Sequence, residues 1–202
     1  MPIIKSKVKR SRTLGVPLTD KAARHMERRS YGPGEHGRAG RRADNDYKLR
    51  LREKQRLRAQ YNIGESQLRR TIDRASRSPG KTGDALLAEL ETRLDAVVLR
   101  AGFARTIYQA RQAVSHGHVW VDGAKVDKPS YRVRPGQVVE VADRSKNLLP
   151  FMVAATGEHT AIVPAYLAVD TAALRARLER LPTRPEIPVS CDERLVVEYY
   201  SR

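Results

Sequence analysis

Between Asp84 and Val141 the apolar residues change period, from a helical spacing to a strand spacing. Leu86, Leu90, Leu94 and Val97 share one face at about 100° per residue, widened by Leu87 and Val98. This spacing predicts one helix from Asp84 to Ala101, closed by Gly102 in the position where helices favour a left-handed residue. Thr106 and Gln109 have the spacing of a capping box that opens a second helix. On it Ile107, Ala110 and Val114 face inward, while Arg105, Gln109, Gln112 and His116 line the opposite face. His118 to Val126 then reads as a hairpin, with Asp122-Gly123 suited to a type I′ turn. Residues 130–133 and 138–141, joined by Pro135-Gly136, supply two more strands. Two helices on a small, mostly antiparallel sheet make the chain α+β.

Charge decides what such a domain works on. The 202 residues carry 39 Lys/Arg against 23 Asp/Glu, a net charge of +16, which repels itself on folding and calls for a polyanionic partner. The excess is uneven, with 18 bases to 6 acids over residues 1–60 but 6 to 7 over residues 156–202. The front third attracts the polyanion, and the tail is suited to packing on protein. No stretch approaches the roughly 20 apolar residues that span a bilayer, so nucleic acid is preferred to a membrane as partner. Cys191 is the single cysteine, which rules out an internal disulfide and a cysteine-built zinc site within the chain. His116-Gly117-His118 is too sparse for a metal, and no metal or cofactor is expected. Gly80-Lys81-Thr82 mimics the end of a phosphate-binding loop, but Ala75 stands where its first glycine belongs. No small-molecule substrate is expected.

Residues 1–45 read as a basic arm, largely irregular apart from a short helix capped by Thr19. Tyr31 to Arg42 reads as an extended Gly/Arg loop that contains Arg38, Arg41 and Arg42. Residues 46–92 form a helical domain. Asp46 caps its first helix, in which Tyr47, Leu51, Leu57 and Tyr61 face inward beside a stripe of Lys48, Arg52 and Arg56. Glu53 is the only acid from Lys48 to Arg58, so local ion pairing leaves the stripe uncompensated and suits it to phosphate. The next helix turns Leu68, Ile72 and Ala75 inward and Arg69, Arg70 and Arg74 outward. Residues 93–156 hold the helix–helix–hairpin unit, with Arg93 and Arg100 on one edge of its apolar stripe. Residues 157–202 form a C-terminal helix and a strand-like tail packed back on the body.

The run Arg93-Leu-Asp95-x-Val-Val-x-Arg100-x-Gly102-Phe103, the run Gln109-Ala-Arg111-Gln112-x-Val-x-His116-Gly-His118, and the run Pro129-Ser130-Tyr131-Arg132 closely resemble the S4 RNA-binding domain. The likeness extends to Tyr31-Gly-Pro-Gly-Glu-His36-Gly37, to Asp46-Tyr47-x-x-x-Leu51-Arg52-Glu53, and to the ending Leu195-Val-Val-Glu198-Tyr199. Together these resemble the bacterial family of small-subunit ribosomal protein S4. That resemblance implies a helical N-terminal domain with an inserted S4 domain, a cytoplasmic protein of the small ribosomal subunit, and no enzymatic activity. It also implies direct binding of small-subunit ribosomal RNA early in assembly, contact with ribosomal protein S5, an effect on translational accuracy, and a basic loop near the mRNA entry. Some members carry an N-terminal zinc-binding cysteine cluster, which this chain lacks. The related modules of pseudouridine synthases and tyrosyl-tRNA synthetases accompany a large catalytic domain, and only about 50 residues follow the module here.

The residues expected to touch RNA are Arg38, Arg41, Arg42, Lys48, Arg52, Arg56, Arg69 and Arg70 in the front half. In the second half they are Arg93, Arg100, Arg105, Thr106, Gln109, Arg111, Gln112, His116, Lys125, Ser130, Tyr131 and Arg132. The two groups form two basic faces that hold phosphate by counterion release and read folded RNA by shape.

Overall fold

The computed structural model describes residues 6–38, 45–159 and 163–201. Arg41 and Arg42 lie outside these residues. The chain forms two compact units, one of residues 1–68 with 189–202 and one of residues 69–188.

The first unit is helical. Its arm is more regular than its composition suggests. Helix α1, Lys7–Leu14, is opened by Ser6, whose Oγ accepts from the Lys9 amide, and closed by Gly15 at φ 69°. The breakers Gly15 and Pro17 end this helix rather than prevent it. Thr19 caps α2, Asp20–Arg28, as the sequence suggests. The loop at Tyr31 is not extended: Glu35–Arg38 forms a 3-10 turn. An ideal Cβ on Gly37 would lie 2.0 Å from the Gly32 carbonyl oxygen, so the turn closes only on glycine there. Arg12 ties the loop down by donating to the carbonyls of Tyr31 and Gly32 at 2.9 Å each.

Helix α3, Asp46–Gln60, begins one residue earlier than its sequence suggests, because Asn45 and not Asp46 provides the cap. Leu57 and Tyr61 are buried, but Tyr47 is 59% exposed, so the inward face is shorter than its periodicity implied. Buried Glu53 and Lys54 take the remaining inward positions. The C-terminal segment Glu193–Tyr200 is helix α10 rather than a strand. Its Leu-Val-Val-Glu-Tyr-Tyr run favours strand, but the Asp192 cap and the packing of buried Val196 in a helix laid on α3 override that local preference.

Helix α4, Glu65–Ala75, carries the chain into the second unit. The single helix expected from Asp84 to Ala101 is two, α5 at Thr82–Glu91 and α6 at Leu94–Arg100. Between them Arg93 is extended and bridges Arg132. The Val133 amide donates to the Thr92 carbonyl and the Leu94 amide to the Tyr131 carbonyl, each at 2.8 Å. Residues 131–133 therefore pair with the helix break and not with the sheet, which replaces the strand expected at 130–133. Gly102 adopts φ 77° as its position predicts, and α7 follows at Ile107–Ser115.

The sheet has five antiparallel strands in the order β2-β1-β3-β5-β4. These are β1 Val119–Val121, β2 Ala124–Lys125, β3 Val138–Val141, β4 Leu167–Asp170 and β5 Arg175–Leu178. The turn between β1 and β2 has Asp122 at φ 49° and Gly123 at φ 77°, as a type I′ hairpin requires. The Asp122 carboxylate holds the register of β3 by accepting from the Val138 amide at 2.8 Å. Strands β4 and β5 were not evident in the sequence and carry the sheet beyond residue 156. The short helices α8, Asp143–Lys146, and α9, Leu149–Ala155, precede them. One sheet face turns Val119, Val121, Val139, Val141, Ala176 and Leu178 into the core shared with Leu94, Val97, Phe103, Ala110 and Val114. Each such fully buried Val or Leu contributes about 1.5–3 kcal/mol, enough to hold α6 and α7 rigid for the polar face of α7.

Candidate nucleic-acid interface

The polar row of α7 is set by its cap. Thr106 Oγ1 accepts from the Gln109 amide at 3.2 Å, and Gln109 Oε1 reaches back to the Arg105 amide at 2.9 Å. The reciprocal bond falls one residue before the expected capping-box partner. It fixes the start of the row and orients the Gln109 amide group. At about 100° per residue, Arg105, Gln109, Gln112 and His116 lie within about 60° of one another around the helix axis. Arg105, Gln112 and His116 are exposed, and the row contains no acid.

Lys125 joins this row because of one glycine. Gly117, at φ 74°, ends α7, and a Cβ there would meet Lys125 Cε at 2.3 Å and Nζ at 2.9 Å. The lysine stem thus lies over Gly117 in the α7–β1 turn, at the C-terminal end of the row. His118 is turned to a structural role. Its Nδ1 is 2.9 Å from Ser145 Oγ, and its ring meets Phe151 edge-on at 5.7 Å. Burial, with help from His116 and Arg144, pushes the His118 pKa below the usual imidazole range.

The arginines flanking the row are held internally. Arg93 is buried and donates to both Asp95 carboxylate oxygens, at 3.0 and 2.7 Å, and Arg111 Nη1 stands 3.6 Å from the same group. Burial pushes the Asp95 carboxyl up, against the pull of both guanidiniums and the Ala96 amide. Arg100 donates to both oxygens of buried Glu91 at 3.0 and 2.7 Å, and the Tyr166 hydroxyl donates to Glu91 at 2.8 Å. Arg132 pairs with Glu89, which also accepts from Arg74 at 3.2 Å. Arg93, Arg100 and Arg132, all expected at the RNA face, are placed in internal ion pairs. Their charge is matched by carboxylates, and their first role is to join α5, α6 and the 131–133 segment. Tyr131 is half-buried against the core, with its hydroxyl bonded to Gln137, while Ser130 is exposed.

In the first unit the α3 stripe is likewise less free than local sequence suggests. Arg56 donates to the Leu14 carbonyl at 2.6 Å and pairs with Glu53, whose other oxygen accepts from the Asp192 amide at 3.1 Å. Arg50 pairs with Glu198, and both Lys54 and Arg58 pair with Glu65. Glu53 is on α3 itself, three residues from Arg56, while Glu65 and Glu198 come from α4 and α10. Arg52 is half-buried, whereas Lys48, Arg69 and Arg70 are exposed. Arg38 is exposed with its guanidinium 5.1 Å from the Tyr31 ring centre, and it lowers the Tyr31 hydroxyl pKa by hydrogen bonding.

Sequence reasoning passed over one cationic row. Lys21, Arg24, His25 and Arg28 line a concavity of about 300 Å³ on α2. Their i, i+3, i+4, i+7 spacing was legible, but it lay in a stretch taken as an arm. Among the described residues no cluster of three or more His, Cys, Asp or Glu could hold a metal ion. No helix of the described residues is long and apolar enough to cross a membrane.

A helical N-terminal unit, followed by two helices that hold an acid-free polar row against a small sheet, defines an S4-domain RNA-binding protein. The S4 domain family model matches residues 92–139, and the model for the ribosomal protein S4/S9 N-terminal domain matches residues 3–91. The chain is 60% identical to the small ribosomal subunit protein uS4 of Streptomyces griseus over 198 residues, covering 97% of each chain. It is 58% identical to that of Micrococcus luteus over 198 residues, covering 96% of this chain and 95% of the relative. With that of Leifsonia xyli the identity is 59% over 200 residues, covering 98% and 97%. The chain belongs to the small ribosomal subunit protein uS4 family, whose members are structural and not enzymatic.

Proposed function

We propose that this protein is a structural constituent of the cytoplasmic small ribosomal subunit that binds the subunit's RNA directly and early, nucleating assembly of its body. The observation that carries this reading is the division among its cations. Arg93, Arg100, Arg132 and Arg56 are engaged by carboxylates, while the α7 row of Arg105, Gln109, Gln112 and His116 presents cations and amides together, with Arg105, Gln112, His116 and nearby Lys125 exposed. Such a face of cations and amides suits phosphate and sugar groups, with Thr106 and Arg111 acting from behind as cap and support. Arg38, Lys48, Arg52, Arg69 and Arg70 add to RNA attraction, and Arg41 and Arg42 are assigned to mRNA near its entry. Ser130 and Tyr131, within the module, are assigned to the same RNA contact.

A protein partner, ribosomal protein S5, with consequences for translational accuracy, belongs to the same proposal. It is supported by exposed Tyr47, whose ring lies 6.0 Å from Tyr199, itself 4.2 Å from the Lys54 ammonium. Exposed tyrosines are among the residues enriched in protein interfaces.

The test is retention on the particle. The wild-type chain is expected to co-sediment with small subunits and remain through a high-salt wash. A chain with Arg105→Ala, Gln112→Ala and His116→Ala is expected to be stripped by the same wash with an unchanged melting temperature. Equal retention of the two would remove the α7 row from the anchor.

A further inference from the structure

We propose that α2 is a separate phosphate-binding face, built by Lys21, Arg24 and Arg28 around His25, that seats one strand of a nucleic-acid backbone. The inference rests on the RNA-binding reading and places much of the front third's attraction on a helix that reading did not use.

The four side chains line a single concavity of about 300 Å³. Spaced at i, i+3, i+4 and i+7, they fall within a sector of about 100° and extend about 10 Å along the helix. The opposite side is committed to folding: Ala22 is fully buried, and α2 packs on α1. The helix's own acids, Asp20 and Glu27, fall together in the sector beyond Arg24, outside the concavity.

Pairing separates this row from the paired cations of α3. None of Lys21, Arg24, His25 and Arg28 forms an ion pair with a described residue. On α3, by contrast, Arg50, Lys54, Arg56 and Arg58 each have a carboxylate partner. Like charges at i,i+3 and i,i+4, as in Lys21/Arg24 and Arg24/Arg28, destabilise a helix by about 0.2–0.5 kcal/mol each. Lys21 also stands in the first turn, where the helix dipole disfavours a cation. Arg50, Lys54, Arg56 and Arg58 of α3 are matched by carboxylates, whereas the α2 cations are clustered in a concavity and take their counter-charge from a bound partner. The i+7 extent suits a strand with successive phosphates better than a single small anion.

The test compares salt dependence of binding to a small-subunit rRNA fragment for the full chain and for Lys21→Gln/Arg24→Gln/Arg28→Gln. Three lost contacts are expected to make the slope of log K against log salt shallower by about 2–3, since each contributes about 0.7–0.9. The melting temperature should stay level or rise as repulsion is relieved. An unchanged slope in this variant, together with a shallower one in Arg105→Gln/Lys125→Gln, overturns the α2 face and leaves RNA binding standing. A nearly flat slope in the wild-type chain overturns both. Inorganic phosphate, followed through the α2 amides by NMR, is expected to compete no better than chloride. Saturation by micromolar phosphate would make this a small-anion site and overturn the strand assignment.

Discussion

Replacing Glu91 with alanine is expected to destabilise the unit of residues 69–188 by about 3–5 kcal/mol, because it leaves a largely buried guanidinium without its counter-charge. Glu91 has no exposed side-chain surface, and the side chain of its partner Arg100 is 17% exposed. The same carboxylate takes the hydroxyl of fully buried Tyr166, whose ionisation is pushed up by burial and by Glu91 itself. One substitution therefore strands two donors. Trp120, the sole tryptophan, lies in β1 of this unit, so urea unfolding followed by its fluorescence reads the loss directly. The triple change Glu91→Leu, Arg100→Met, Tyr166→Phe is expected to regain most of it, since apolar replacement of an entire buried polar cluster is often neutral. A Glu91→Ala loss under 1 kcal/mol would show that the pair is not structurally important.

Glu53→Ala is the matching experiment in the helical unit, with an expected cost of about 3 kcal/mol or more. Its two oxygens serve different elements, pairing with Arg56, which holds the end of α1, and accepting the Asp192 amide at the start of α10. Gln60 reinforces the second junction, donating to the Ser190 carbonyl at 3.1 Å and accepting its amide at 3.2 Å. The expected signature is faster hydrogen exchange throughout α10, beyond the fraying of its last turn. Undiminished protection of the Val196 and Val197 amides would contradict it.

Both experiments bear on what could be read from the chain alone. The α7 cap, its polar row, the Asp122-Gly123 turn and Gly102 were legible because each is set by residues within a few positions of one another. The break at Thr92–Arg93 was not, since Leu90, Leu94 and Val97 reach one core whether or not the helix pauses. Only the pairing with residues 131–133 fixes that pause. Strands β4 and β5 are four residues each, and their β5 run Arg-Ala-Arg-Leu reads as polar until Ala176 and Leu178 are seen turned inward. The carboxylate partners of several arginines were hidden for a related reason. Glu89 lies 43 residues from Arg132 and Glu198 lies 148 from Arg50, so those pairings are tertiary properties that no sequence window shows. Gly117 was legible as a glycine, but its use as a seat for the Lys125 stem required the fold.

The central claim is that structural cations and RNA-facing cations are different residues. The most direct test is the salt slope of affinity for a small-subunit rRNA fragment, measured for the wild-type chain, for Arg105→Gln/Lys125→Gln and for Arg100→Gln. The first variant is expected to make the slope shallower by about 1.5–2 while its melting temperature holds. Arg100→Gln is expected to lower the melting temperature and leave the slope of the folded protein unchanged. The reverse pattern, in which Arg100 sets the slope and Arg105 with Lys125 sets stability, would contradict the account.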